Sequence, residues 1–247
     1  MRYFIEVAYK GTAYSGFQTQ DNAVTIQSAV EKALSTIYKS TFQLTCSSRT
    51  DAGVHALQNF FHVDTEVVIN PKQVYNINAL LAKDIVIKRI FAVSDDTHAR
   101  FSATHRAYQY FISPERNPFI TETAWFYPFQ LNIAALNEAA ALLKTYTDFT
   151  SFSKRKTQVK TFNCTIEQSE WQIENGCLVY HVRANRFLRG MVRGLVGTML
   201  LVGRGNISLQ EFAAIIEAKD CTKANFTTPA HGLFLIKVYY PDTLVLE

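Results

Sequence analysis

The order of apolar patterns in the first hundred residues most restricts what this chain can fold into. Alternating apolar side chains predict strands at residues 3–9, 42–46, 57–63 and 85–91. Helical spacing predicts a helix over residues 26–37, with Thr25 placed to cap it. A shorter helix is predicted over residues 71–81, with proline in its first turn. The resulting order, β-α-β-β-α-β, is that of a split α+β unit.

The second half of the chain has a similar mixture of patterns. Strands are predicted at residues 107–112, 124–127, 162–173, 177–184 and 233–240. Helices are predicted over residues 187–202 and after the capping residues Asn132 and Ser208. Gly190, Gly194 and Gly197 recur at helical spacing. Because glycine weakens a helix by about 1 kcal/mol, we expect another backbone to pack closely against this helix.

Composition indicates a globular protein rather than a disordered or membrane chain. The 247 residues are 48% hydrophobic and 13% aromatic, which supports a substantial core. The net charge of +4 permits an anionic partner without requiring one. Four scattered cysteines with no C-x-x-C disfavour zinc and a disulfide framework. No apolar stretch reaches the ~20 residues that span a bilayer, so we expect a soluble, cytoplasmic protein.

A polar stretch over residues 46–56 separates two of the predicted strands and contains Arg49, Asp51 and His55. Polar side chains on a loop held by a scaffold are typical of functional sites. Asp51 is therefore the first candidate for chemistry. The residues alone equally support a simple turn, in which Asp51 bonds its own backbone and Gly53 supplies a positive φ.

The segment SSRTDAGVHA, residues 47–56, resembles the signature GRTDAGVHA of the A family of tRNA pseudouridine synthases. In that family the signature aspartate is the catalytic nucleophile, so the resemblance implies this role for Asp51. Ser48 stands where the family has glycine. Residues 10–20 are similar to the family's DGxxYxGWQxQ, with Lys10 and Phe17 as departures, and residues 96–104 are similar to FHARFSAT. For Phe17, a structural anchor in a surface loop is the preferred interpretation.

Two further segments extend the resemblance into the second half. RAYQYFI is similar to RxYxYxI, whose first tyrosine, Tyr108 here, contacts the target base. NRFLRGMVR is similar to NxFLxxMVR, whose last arginine, Arg193 here, pairs with the catalytic carboxylate and keeps it ionised. The resemblance also implies that Arg49 contacts RNA and helps to displace the target nucleotide. From the residues alone, a core tyrosine and a solvated basic helix face stay open as alternatives.

Additional basic residues are candidates for RNA contact. They are Lys154, Arg155 and Lys156 on an unpatterned loop, and Arg186 and Arg189 on the predicted helix that carries Arg193. Charge runs are often solvated loops. With Phe149 and Phe152 beside it, the loop also resembles a surface that meets a phosphate backbone.

The resemblance implies an α+β fold of two lobes, residues 1–104 and 105–247. Their antiparallel and mixed sheets would join into one central sheet, with the active-site cleft between the lobes. It implies a homodimer that contacts the anticodon stem-loop and elbow of tRNA. It would convert uridine to pseudouridine at positions thirty-eight to forty, using no metal and no cofactor.

Two other functions are weighed against this one. An RNA-binding module with an inactive site would not depend on Asp51 for any activity. A carboxylate-dependent glycosidase or base-excising hydrolase would usually need a second carboxyl group as general acid. The segments around Asp51, Tyr108 and Arg193 contain no other acidic residue.

Overall fold

The structure is a computed structural model that describes residues 1–155 and 159–244, and the chain divides into two compact units. The first comprises residues 1–105 and 234–247, and the second comprises residues 106–233. The predicted boundary after residue 104 lies one residue from the first break. All of the final strand except its first residue, Leu233, falls in the first unit, whereas the prediction placed the whole strand in the second lobe.

The elements below are numbered in chain order. The strands are β1 (Arg2–Tyr9), β2 (Thr45–Cys46), β3 (His55–Asp64), β4 (Ile85–Val93), β5 (His105–Ser113), β6 (Trp125–Phe126), β7 (Ile166–Glu174), β8 (Cys177–Ala184) and β9 (Leu233–Tyr239). The helices are α1 (Ile26–Tyr38), α2 (Val74–Leu80), α3 (Ile133–Leu143), α4 (Met191–Gly203) and α5 (Leu209–Glu217). Short 3-10 turns occupy Gly11–Ala13, Pro71–Gln73, Thr150–Phe152 and Asp242–Leu244.

In the first unit, β1 lies between β4 and β3 and is antiparallel to both. Most of its side chains are buried, as expected for an inner strand. The opposite ends of β3 pair with β2, which is antiparallel, and with β9, which is parallel. Helix α2 packs against α1 and β4. The unit thus has the α+β class that the order of patterns predicts.

Helix α1 begins as the sequence predicts. The Thr25 hydroxyl accepts from the backbone N–H of Ser28 at 3.1 Å, and the Ser28 hydroxyl accepts from the backbone N–H of Thr25 at 3.0 Å. This capping box satisfies two of the N–H groups at the helix start. The buried face of the helix consists of Ile26, Val30, Ala33 and Leu34.

The strand predicted over residues 42–46 is reduced to β2. Side chains of α1 replace the missing sheet partner: Glu31 Oε1 accepts from the N–H of Leu44 at 2.9 Å, and Gln27 Nε2 donates to the Leu44 carbonyl at 2.8 Å. Because a buried backbone group needs any adequate partner, this segment is held in place without forming a strand.

In the second unit, β8 lies between β5 and β7 and is antiparallel to both, and β6 runs parallel to β5. The predicted hairpin joins β7 and β8 through Asn175 and Gly176, both with positive φ. Helix α3, capped by Asn132, packs against β7 and α4. Asn137 ties it to β7 by bonding both the N–H and the carbonyl of Trp171.

The helix predicted over residues 187–202 begins later, at Met191. Gly190 adopts φ 74°, a left-handed conformation outside the helix. Arg186 and Arg189 therefore precede the helix, and the prediction that they share it with Arg193 is wrong. The expected approach of another backbone is confirmed at Gly197, whereas Gly194 packs against a side chain. A Cβ on Gly194 would lie 2.7 Å from the Phe226 ring, and one on Gly197 would collide with the carbonyl oxygen of Asn225.

The predicted capping box of α5 is confirmed by reciprocal bonds between Ser208 and Glu211. The α+β class is confirmed in each unit. Across residues 1–155 and 159–244, no helix combines the length and apolar character that crossing a membrane requires.

Candidate active site

Asp51 lies on the loop that joins β2 to β3. Thr50, Val54 and His55 around it are buried, whereas Asp51 is half-buried and Arg49 is exposed. The Val54 N–H donates to the Asp51 carbonyl at 3.2 Å, and Gly53 has φ 78°. The loop is thus a tight turn, as the residues alone allow, and its buried residues hold one half-buried carboxylate in place.

A buried hydrogen-bond network fixes the residue before Asp51. The Thr50 hydroxyl lies 2.8 Å from the Tyr9 hydroxyl on β1. Asn59 on β3 donates from Nδ2 to the Tyr9 oxygen at 3.2 Å and to the Ser48 carbonyl at 2.9 Å. Because Tyr9 and Asn59 sit on two paired strands, the sheet itself sets the position of the loop.

The segment over residues 10–20 braces the same loop from another side. The Gly11 N–H donates to Nδ1 of His55 at 2.9 Å, and a Cβ on Gly11 would collide with the Val54 carbonyl. The Phe17 N–H donates to the Thr50 carbonyl at 3.2 Å. A Cβ on Gly16, which has φ 98°, would lie 3.3 Å from the Thr50 carbonyl oxygen. Gly11 and Gly16 therefore permit close backbone approach.

Phe17 is fully buried, with its ring stacked on Phe61 at 4.5 Å and 5.4 Å from that of Tyr9. Its interpretation as a structural anchor is confirmed.

Arg49 contributes positive charge beside the loop. Burial raises the pKa of the Cys46 thiol, and the guanidinium groups of Arg49 and Arg100 oppose that rise. Both cations therefore lie near Cys46, at the end of β2 that enters the Asp51 loop.

In the second unit, the two tyrosines of β5 have different environments. Tyr110 is fully buried, and its hydroxyl donates to the Pro229 carbonyl at 2.8 Å. Tyr108 is half-buried and meets the Phe187 ring edge-on at 5.0 Å. Tyr110 is thus a core aromatic, whereas part of the Tyr108 side chain is accessible to a ligand.

Arg193 lies in the first turn of α4 and is half-buried. Its Nε donates to the Thr228 carbonyl at 2.7 Å, and the Thr228 hydroxyl donates to the Arg193 carbonyl at 2.9 Å. Thr228 is fully buried. This reciprocal pair holds the guanidinium in one orientation, unlike a side chain on a solvated basic face.

The remaining basic candidates fall on two neighbouring segments of the second unit. The Lys154 N–H donates to the Arg189 carbonyl at 3.0 Å, and the Lys154 side chain covers Gly190. Arg155 and Arg189 are exposed, and Arg186 is half-buried near the Cys164 thiol. Lys156 lies outside the described residues.

Phe149 and Phe152 are not part of an RNA-facing surface. Both are fully buried, and Phe152 packs near Phe212 of α5. They lie beside the basic loop in sequence, as noted, but their rings are in the core and are not available to a phosphate backbone.

Among residues 1–155 and 159–244, no three His, Cys, Asp or Glu side chains are grouped as metal ligands.

Comparison with known sequences finds one family whose model matches stretches in both units. The sequence model of a family described as tRNA pseudouridine synthase matches residues 5–102 and 139–241. The chain belongs to the tRNA pseudouridine synthase family. These two stretches include Arg49, Asp51 and Arg193, although Tyr108 falls between them.

Several curated relatives are named tRNA pseudouridine synthase A, and each aligns with this chain over nearly its full length. The chain is 43% identical over 245 residues to tRNA pseudouridine synthase A of Parabacteroides distasonis, covering 98% of this chain and 97% of the relative. It is 44% identical over 250 residues to that of Porphyromonas gingivalis, covering 99% of both. The Bacillus subtilis protein is 38% identical over 247 residues, covering 98% of this chain and all of the relative. This tRNA pseudouridine synthase is an isomerase that acts on tRNA uridine.

Sequence reasoning missed several residues that support the candidate site. Tyr9 and Asn59 lie at strand positions, so their pattern indicated only a role in the sheet. Thr228 lies in a segment without a pattern. Asn59 did carry a signal, because an amide on a strand with largely buried neighbours needs a polar partner. Phe187 was assigned to a helix, but it precedes α4 and supports the Tyr108 ring.

Proposed function

We propose that this enzyme converts uridine to pseudouridine at positions thirty-eight to forty, in the anticodon stem-loop of tRNA, with Asp51 as the nucleophile. The observation that carries the proposal is the way the Asp51 loop is held. Buried bonds from Tyr9, Asn59 and Gly11 fix the residues on both sides of a half-buried carboxylate. A carboxylate held in this way can meet a substrate with little loss of conformational freedom.

The reaction requires the target uridine to leave its helix. Flipping a base costs a few kcal/mol, and stacking on an aromatic ring returns about 1–3 kcal/mol. We assign the stacking contact to Tyr108, whose ring is supported by Phe187. Arg49, exposed beside the Asp51 loop, contacts the RNA and helps to displace the nucleotide.

The chemical change is a rearrangement within one nucleotide. The bond from N1 of uracil to C1′ of ribose breaks, the base rotates, and a bond from C5 to C1′ forms. The proton on C5 is released to water, and N1 gains a proton. Asp51 acts as the carboxylate, and the bond that it forms to the nucleotide breaks again before pseudouridine is released. We propose that Arg193 pairs with Asp51 to keep it ionised.

The cationic side chains of Lys154, Arg155, Lys156, Arg186 and Arg189 are proposed to bind backbone phosphates. Binding through phosphates releases counterions, so the affinity for tRNA falls as salt rises. Four of these residues lie on two segments joined by the bond between Lys154 and Arg189, so together they can follow one stretch of backbone.

We further propose a cytoplasmic homodimer in which one tRNA contacts both subunits, through its anticodon stem-loop and elbow. Light scattering on the purified chain tests the dimer. A particle of twice the 28.0 kDa chain mass is expected, and a monomer at working concentration contradicts it.

Release of tritium from tRNA labelled at uracil C5 tests the activity. The wild type should release tritium, and Asp51→Asn should abolish release while tRNA is still bound. Glu66→Gln is a control, because it removes an exposed acid elsewhere in the first unit. Mapping the product positions tests the anticodon assignment.

The same assay separates the alternatives. Free uracil among the products would indicate a base-excising hydrolase. tRNA binding with no tritium release by the wild type would indicate an RNA-binding module.

A further inference from the structure

We propose that the loop of residues 97–104 provides a second nucleotide site, in which the Phe101 ring stacks on an unpaired base of the tRNA and Arg100 supplies positive charge. The proposal rests on tRNA as the substrate. It differs from the assigned contacts of Asp51 and Tyr108, and it uses a segment to which the reaction itself gives no role.

The first observation is that Phe101 is 75% exposed. A single exposed apolar side chain is common and needs no function. This one differs from an ordinary exposed residue in the rigidity of its loop and in the charge beside its ring.

The loop that carries Phe101 is tied to the sheet on several sides. The N–H of Ala99 donates to Nδ1 of His62 at 3.2 Å, and the Tyr240 hydroxyl donates to the Ala99 carbonyl at 2.6 Å. Arg2 donates from Nη1 to the Thr97 carbonyl at 2.8 Å. Ala99 is fully buried although the next two residues are exposed. The backbone under the ring is therefore ordered before a ligand arrives, which lowers the entropic cost of binding.

The His98 side chain supports the Phe101 ring on one side. The His98 ring centroid lies 4.3 Å from that of Phe101. Nδ1 of His98 accepts from the backbone N–H groups of Arg100 and Phe101 at 3.0 and 3.3 Å. With one side of the phenyl supported in this way, most of the remaining surface is open to an incoming flat group.

Positive charge lies beside the open ring. The Arg100 guanidinium is 5.5 Å from the ring centroid, a distance at which a cation is attracted by the aromatic face. Arg100 and Arg49 both oppose the burial-driven rise in the pKa of the Cys46 thiol, so both cations lie near the end of β2. The nearby Asp64 carboxylate is already paired with Arg2 at 2.7 Å.

An open aromatic ring beside arginine matches the chemistry of an unpaired nucleotide. Bases splayed out of an RNA helix stack on aromatic rings and on guanidinium planes, and the attached phosphate is attracted by the cation. A purely apolar protein partner would gain nothing from Arg100. The loop therefore fits an unpaired nucleotide of the tRNA.

Binding of tRNA in the Asp51→Asn background tests this site without turnover. Phe101→Ala and Phe101→Leu should each raise the Kd for tRNA by about 5- to 50-fold. Phe101→Tyr, which keeps the aromatic face, should stay within about twofold of the parent. Phe119→Ala is the control, because Phe119 is 94% exposed on the second unit, and it should leave Kd unchanged.

Single-turnover rates separate binding from chemistry. At sub-saturating tRNA, Phe101→Ala in the otherwise wild-type enzyme should release tritium more slowly than the parent, and a higher tRNA concentration should reduce the difference. Wild-type affinity in Phe101→Leu would overturn the stacking assignment. A changed oligomeric state in Phe101→Ala would instead assign the ring to a contact between subunits. A wild type that binds tRNA but releases no tritium would contradict the proposed reaction and leave the Kd comparison intact.

Discussion

The Tyr9 hydroxyl lies 2.8 Å from the Thr50 hydroxyl, one residue before the proposed nucleophile. The Tyr9 oxygen also accepts from Asn59 Nδ2 at 3.2 Å. One strand of the sheet therefore holds the loop of the proposed nucleophile through buried hydrogen bonds.

Tyr9→Phe should lower both stability and turnover. It leaves buried polar groups of Thr50 and Asn59 without their partner, at a cost of about 1–3 kcal/mol. Loss of the bond to the loop should lower kcat by about tenfold or more with a small change in KM. Urea unfolding and tritium release measure the two effects.

Tyr3→Phe is the matched control for that change. Tyr3 is buried on the same strand, and its hydroxyl accepts from the Ile69 N–H, away from Asp51. It should lose stability and keep kcat. Equal kcat losses in the two variants would show that Tyr9 acts only through general stability.

Replacement of Arg193 by lysine should separate charge from geometry. Lysine keeps the positive charge but lacks the Nε donor that binds the Thr228 carbonyl. We expect kcat to fall by about 10- to 100-fold, because the cation is no longer held in place. Arg204→Lys, at the other end of α4, should retain activity, and full activity in Arg193→Lys would contradict the assigned role.

Gly197→Ala should destabilise the protein strongly. The added Cβ would collide with the backbone oxygen of Asn225, which cannot rotate away. We expect a loss of about 2–4 kcal/mol despite the better helix propensity of alanine. Gly203→Ala on the same helix meets only flexible leucine side chains and should cost less. The midpoints of urea unfolding compare the two, and similar midpoints would refute the packing argument.

The stability of the protein should depend on pH through His62. Burial, with a smaller effect of His98, lowers the pKa of His62 to about 4 from an ordinary value near 6.5. Between these values the unfolded chain binds a proton that the folded chain does not. Stability from this group is therefore present above about pH 6.5 and is lost as the pH falls toward about 4.

His62→Asn tests this dependence, because its amide oxygen can still accept from Ala99. Urea unfolding at about pH 7.5 and about pH 5 should show the wild type losing stability relative to the variant on acidification. The same difference in the free energy of unfolding between wild type and variant at both pH values would contradict this role of His62.

The strand and helix pattern was accessible from sequence wherever one element buries one face. The alternation of β1 and the helical spacing of α1 are direct consequences of such burial. The strand predicted before the Asp51 loop was too long. Gln27 and Glu31 of helix α1, rather than a neighbouring strand, bond the backbone of Leu44. No local pattern carries that information.

The candidate site was only partly accessible for a similar reason. The motif around Asp51 is local in sequence, so it could be read directly. The start of α4 depends on the left-handed backbone of Gly190, and periodicity does not distinguish that conformation from a helical glycine. The burial of Phe149 depends on packing within the folded unit, so its proximity to lysines along the chain was misleading.

The pairing of β3 with β9 has a consequence for how this protein is made. The His55 end of β3 pairs with Phe234 and Leu235, which are synthesised long after β3. Until then, a nascent chain that has completed β4 carries an unsatisfied β3 edge, which is the kind of surface that invites aggregation. A fragment that stops at residue 105 should therefore require chaperone assistance or precipitate.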